Sequence, residues 1–209
     1  MEINVDVKNI EREGNYLKIE LNDEIMRKLG IASERLSDLR PGAIFVDPEG
    51  AEYIVLEQES ETTAVISKES LKECRSFGDN NNWKESRIRR HLNVGYYSKL
   101  SRLFGLCNLI EHTTDLLSLD GLDDYGEVVD RVSLLTLDHY RKFRKILGSN
   151  IISSWYLATP NSTISGRSVR EVCYVGSHGN VSRGLCESPG GVRPFFILKS
   201  SIFVSRPAK

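Results

Sequence analysis

Residues 40–71, RPGAIFVDPEGAEYIVLEQESETTAVISKESL, constrain the fold of this chain more than any other stretch. Three short apolar runs, 44–46, 53–56 and 63–66, are too brief for helices and suit strands. Asp47-Pro48-Glu49-Gly50 and the polar run Glu57 to Thr62 supply turn chemistry between them. The prediction is an antiparallel meander.

The rest of the chain decides what surrounds it. INVDVKNI and NYLKIEL both alternate, with Gly14-Asn15 between them, which predicts a β-hairpin. NDEIMRKLGI then reads as a short helix with Asn22 as cap and Gly30 as stop. Residues 1–38 are expected to form a small docking or oligomerisation element, and residues 39–209 the main domain. Helices are expected near Trp83, over 97–106 and over 137–147. In the last of these, Leu137, Tyr140, Phe143 or Arg144, and Leu147 fall at helical spacing, and Gly148 ends it. SSWYLATP, EVCYVGSHGNVSRG and GVRPFFIL return to strands and loops. Antiparallel strands toward both ends with helices between make the class α+β.

The stretch SFGDNNNWKESRIRRHLN, residues 76–93, asks whether its amides and guanidiniums bind a ligand or start a helix. Asn82 followed by Glu85 resembles a capping box, and such a cap contributes about 1 kcal/mol. A helix over 83–93 is expected, with Gly95 just past its end. Ile88 and Leu92 share a face with Trp83, whereas Lys84, Arg87 and Arg90 face water. Arg89, next to Ile88, is expected to pair with a carboxylate or carbonyls.

Composition excludes several classes. Lys and Arg number 28 against 29 Asp and Glu, a net charge of −1 that argues against a nucleic-acid binder. No apolar run approaches the ~18 residues of a membrane helix. The acidic, polar start is unlike a secretory signal, so a cytoplasmic protein is expected. Cys74, Cys107, Cys173 and Cys186 form no C-x-x-C pair, so no zinc site is expected. Reduced thiols suit that compartment, and a Cys173–Cys186 contact across a hairpin stays open.

Five segments then fall in a telling order. W-x-x-S-x-I-R-x-x-L-N is carried by Trp83, Ser86, Ile88, Arg89, Leu92 and Asn93. VSLLTLDHY, SWYLATP, VCYVGSHGNVS and GVRPFFIL follow, the last with Gly191, Arg193 and Pro194. This set resembles a family of bacterial and phage or prophage domains of unknown function. They have the C-type-lectin-like fold, also called formylglycine-generating-enzyme-like or sulfatase-modifying-factor-like. The resemblance covers about residues 39–200. Tyr156 and Ala158 stand where the family's W-W-L-R element has its second Trp and its Arg. The resemblance implies that Trp83, Ile88, Arg89, Leu92, Trp155, Gly191, Arg193 and Pro194 hold the fold.

Chemistry is sparse by comparison. Calcium-dependent lectins resemble E-P-N or Q-P-D with W-N-D. Here only Thr159-Pro160-Asn161 comes near, and DGLDDYGE, residues 120–127, lacks the spacing of an EF-hand and reads as a solvated loop. Oxidase relatives in this fold use a close cysteine pair for copper, which is missing. His91, His112, His139 and His178 fit no hydrolase or metalloprotease motif. No cofactor, metal or catalytic residue is therefore expected. Loops 161–170, 176–180 and 184–191 remain, with Arg167, Arg170, His178 and Arg183 as candidate ligand contacts. The expected role is a non-catalytic recognition module, phage or prophage encoded. Its partner would be a bacterial surface glycan or protein. The alternatives are a virion or assembly component that binds other phage proteins or its own kind, and a cryptic enzyme of the oxidase-like branch of the fold.

Overall fold

The computed structural model describes residues 7–13, 16–21, 34–148, 153–166 and 168–207. At its centre is an antiparallel sheet organised by a strand from late in the sequence. Phe195–Lys199 pairs on one side with Thr62–Ser67, and on the other with Val132–Ser133 and Leu109–Ile110. Thr62–Ser67 pairs with Glu52–Gln58, which pairs with Ile44–Val46. The expected meander is present. Its first turn is fixed by Asp47, whose Oδ1 accepts from Glu49 N at 2.8 Å and Ala51 N at 2.9 Å. Gly50 closes that turn at φ +84°, a conformation that side chains disfavour.

Side chains alternate along a strand, and both faces of this sheet are covered. Tyr53, Val55, Val65, Phe196 and Leu198 enter one core, and Ile54, Leu56, Ile66 and Phe195 the other. That explains the unbroken apolar run Tyr53 to Leu56. Leu137–Leu147 covers the second face with Leu137, Tyr140, Phe143 and Leu147, the side the spacing selected. Thr136 Oγ1 caps that helix by accepting from His139 N at 3.2 Å, and Thr159 Oγ1 accepts from Leu137 N at 2.8 Å.

The first face is covered by residues 83–104, and here the structure corrects the expected helix. A 3₁₀ turn, Trp83–Glu85, comes first, and Asn82 Oδ1 accepts from Lys84 N at 3.1 Å. The α-helix is Arg87–His91, and its cap is Ser86, whose Oγ accepts from Arg89 N at 2.9 Å. Glu85 does not close a capping box, because it receives the Asn80 amide at 2.7 Å instead. Gly95 is no stop: the chain runs through a π turn, Leu92–Tyr96, into the helix Tyr97–Phe104. The apolar side continues through Leu92 and Leu100, both fully buried, so packing carries the helix past the glycine. Arg87 is paired with Asp79 rather than only solvated.

The residues expected to hold the fold sit at junctions. Trp83 Nε1 donates to Asp130 Oδ2 at 2.8 Å, and Arg89 Nε to Asp130 Oδ1 at 2.7 Å. Both oxygens of this buried carboxylate are thus used. Asn93 closes the same junction, accepting from Arg131 N and Val132 N and donating to Val132 O at 2.8 Å. Ile88 and Leu92 are fully buried below it. Gly191 lies so close to Ser154 O that a Cβ would stand 2.4 Å from it. Its own carbonyl accepts from Tyr156 N at 3.0 Å. Arg193, only 2% exposed, stacks on Trp155 at 5.0 Å and donates Nε to Ser67 O at 3.0 Å. Pro194 O accepts from Ser67 N at 2.9 Å.

A second antiparallel sheet orders Trp155–Pro160, Glu171–Val175 and Val181–Leu185. The N-terminal hairpin is also present, with Val7–Glu13 against Tyr16–Leu21 and Glu13 opposite Tyr16. The helix expected over 22–30 lies outside the described residues. The partition expected at residue 38 falls inside a packed segment. Glu34–Arg35 pairs with Phe203–Val204, and Leu36 is fully buried in the first core.

Candidate functional site

The three C-terminal loops are held by side chains from other parts of the chain. Asn81, fully buried, does most for loop 161–170. Its amide donates to Ser162 O and Glu171 O, each at 2.8 Å, and its backbone N to Val169 O at 2.8 Å. Tyr125 OH donates to Asn81 Oδ1 at 2.9 Å. The middle asparagine of the triplet is therefore a staple between segments some eighty residues apart, and the outer two serve the local turn. Asn80 Oδ1 accepts from Asn82 N at 2.9 Å.

The acidic loop is not simply solvated, which corrects that expectation. Asp120 accepts from Ser162 Oγ at 2.7 Å. Asp124 accepts from Thr163 Oγ1, from Ser165 N at 2.8 Å and from Ser165 Oγ at 2.9 Å. Hydroxyls and an amide that stabilise the charged form hold both carboxyls below the usual range, with Ser118 the main cause for Asp120 and Thr163 for Asp124. Loop 184–191 is anchored by Tyr156, whose hydroxyl donates to Leu185 O at 3.1 Å and Ser188 O at 2.8 Å. Sequence reasoning missed these holders. Asp120 and Asp124 were visible as a charge run, but their partners lie about forty residues away.

The candidate ligand contacts do not converge on one point. Arg170 is exposed at the open end of the hairpin and Arg183 midway along its second strand, opposite Cys173, with Glu171 lying 3.8 Å from Arg183 Nε. His178 is exposed on the turn at the other end, beside Ser177. At about 3.3 Å per residue, strand geometry separates it from Arg183 by on the order of 10 Å. Arg167 lies outside the described residues. What the structure brings to one recess is an uncharged set. A cavity of about 190 Å³ opens between the small sheet and loop 184–191, lined by Tyr156, Tyr174, Ser154, Ser188 and glycines.

A groove of about 340 Å³ that carries charged residues runs past the start of the helix Leu137–Leu147, by Asp115, Asp138, His139 and Arg141. Its charges are partly committed, since Asp138 pairs with Arg141 at 2.9 Å. The His139 ring packs on Phe143 and Phe195, and burial lowers its pKa.

The cysteine question is answered by packing. Cys173 faces the second core and Cys186 the first, and both are free thiols. Cys173 stands opposite Arg183, not Cys186. Burial pushes Cys173 up to about 11 and Cys186 up to about 12, so both are protonated and unreactive at neutral pH. Among the described residues, no three His, Cys, Asp or Glu side chains are grouped so as to hold a metal ion. Among the same residues, no helix is long and apolar enough to cross a membrane. No family model, curated protein or solved structure matches the chain.

Proposed function

We propose that the chain is a non-catalytic recognition module with a C-type-lectin-like fold, encoded by a phage or prophage. Its loops 161–170, 176–180 and 184–191 bind a glycan on a bacterial surface. The fold assignment rests on the ordered motifs of the sequence, and an antiparallel α+β architecture supports it. One observation carries the functional reading: Asn81, Asp120, Asp124 and Tyr156 hold two of these loops from outside. Loops held by a rigid scaffold suit recognition, because little ordering entropy is lost on binding. Arg170, His178 and Arg183 then line the outer rim of the contact. Labelled protein incubated with candidate host cells and with purified wall polysaccharide should bind saturably. Absence of saturable binding to both overturns the reading.

A second reading is a virion or assembly component. Ile164 is 76% exposed and Leu185 53% exposed, and exposed apolar chains on loops suit a protein partner. In that reading residues 1–33 drive self-association. Light scattering of the full chain against residues 34–209, a truncation that keeps Leu36, should then show a drop in mass per particle. An equal oligomeric state for both removes the role of the hairpin.

A further inference from the structure

The recess beside Tyr174 has a shape and chemistry that name a ligand class. Tyr156 and Tyr174 are cross-strand partners, so their side chains leave the small sheet on one face. Gly184, opposite Val172 on the neighbouring strand, leaves that face open. Each glycine of this wall can be asked why it is glycine. At Gly190 a Cβ would stand 2.4 Å from the Tyr156 ring, so packing demands it. At Gly184 nothing demands it: φ is not positive, and a Cβ would meet only the Tyr174 ring, at 3.4 Å, an ordinary contact. Glycine inside a strand weakens the strand and often marks close approach by a ligand. Here it lets the Tyr174 ring lie close over the strand, at the wall of the recess.

No lining residue of this cavity carries a charge. A charged ligand would lose hydration without gaining a counter-charge, which disfavours phosphates, uronates and amino acids. The volume, about 190 Å³, falls below the ~300 Å³ at which pockets for drug-sized ligands begin. A recess of that size suits one ring better than an extended chain. An aromatic wall offers a face to aliphatic C–H groups, while the hydroxyls of Ser154 and Ser188 offer hydrogen bonds to a ligand's hydroxyls. We propose that this recess binds one neutral hexopyranose, the terminal residue of a glycan, stacked on Tyr174. The proposal rests on the recognition reading above and gives its contact a chemistry.

The test uses the full chain. Methyl glucoside, galactoside and mannoside are titrated by saturation-transfer NMR, with methyl glucuronide as the charged counterpart. At least one neutral glycoside should bind and the glucuronide should not. Gly184→Leu, which fills the recess, should weaken binding at least tenfold with an unchanged melting temperature. Tyr174→Ala should weaken binding by a similar factor by removing the stacking face, with a lower melting temperature because the ring also packs on the first core, and stands in if the leucine variant does not fold. Neutral-sugar binding that survives both substitutions overturns the site and leaves the recognition reading standing. So does saturable cell binding with no neutral glycoside bound. Failure of cell, polysaccharide and glycoside binding together overturns both.

Discussion

The two faces of the central sheet bury polar side chains in opposite ways. Under residues 83–104, both oxygens of Asp130 are occupied, and the amides of Asn81 and Asn93 each tie distant backbone. Under the helix Leu137–Leu147, Nδ1 of His112 and of His139, the Trp155 indole N–H and both terminal nitrogens of Arg193 are unpartnered. Those groups are carried by rings instead. Arg193 stacks on Trp155, and both histidines meet Phe195, at 5.1 and 5.4 Å. A buried polar group without a partner costs about 1–3 kcal/mol. The first face therefore uses polarity mainly to latch segments together, although Arg75 Nε beside residues 87–91 is unpartnered there too, whereas the second tolerates it for packing.

The largest effect should come from unlatching the first face. Asp130→Ala strands Trp83 Nε1 and the Arg89 guanidinium, and should cost about 3–5 kcal/mol in urea unfolding. A loss below about 1 kcal/mol would mean that the faces do not differ.

Next comes acid, which should strike the second face. Burial first, and the charge of His139 second, lower the His112 pKa to about 4, and burial lowers His139 as well. The unfolded chain, with histidine near ~6.5, takes up protons before the folded one does. Stability should therefore fall as pH drops below about 6.5 and level off near 4, by about 3 kcal/mol for His112 alone. The slope between pH 6.5 and 5, above most carboxylate titration, should flatten in His112→Gln. A wild-type stability that is level across that window would sink this account.

Asn81→Ala should cost about 2 kcal/mol by leaving buried carbonyls unmet. Amide exchange should quicken across residues 162–171, and unchanged exchange there would show that the loop needs no staple. Arg193→Met should have the smallest effect, within about 1.5 kcal/mol, because a buried charge leaves as its ring contact and its one hydrogen bond are lost. A cost equal to that of Asp130→Ala would show that Arg193 is latched after all.

What could be read in the sequence follows the same division. The meander, the N-terminal hairpin and the apolar side of residues 137–147 rest on neighbours a few positions apart, and all are found where periodicity puts them. Trp83 and Arg89 could be recognised as anchors, but not Asp130, which joins them across more than forty residues. Asn81 looks like its two neighbours in sequence and differs only by a tertiary contact. Gly95 misled because a glycine stop is a local preference of about 1 kcal/mol, which the burial of Leu92 and Leu100 outweighs. Of the candidate site, the loops could be located but their contact chemistry could not. The charged residues there were conspicuous, whereas an uncharged recess lined by tyrosines, serines and glycines leaves no pattern to notice.

The pairing of Phe195–Lys199 with Thr62–Ser67 also sets a clock. Ile66 and Phe195 are partners, yet a ribosome adding ~5–20 residues per second makes them on the order of ten seconds apart. Throughout that interval the Glu52–Gln58 and Thr62–Ser67 hairpin has an open, apolar edge. During translation that edge is an invitation to mispairing. A chaperone that holds extended apolar segments would have its chief business with the nascent chain at this one seam.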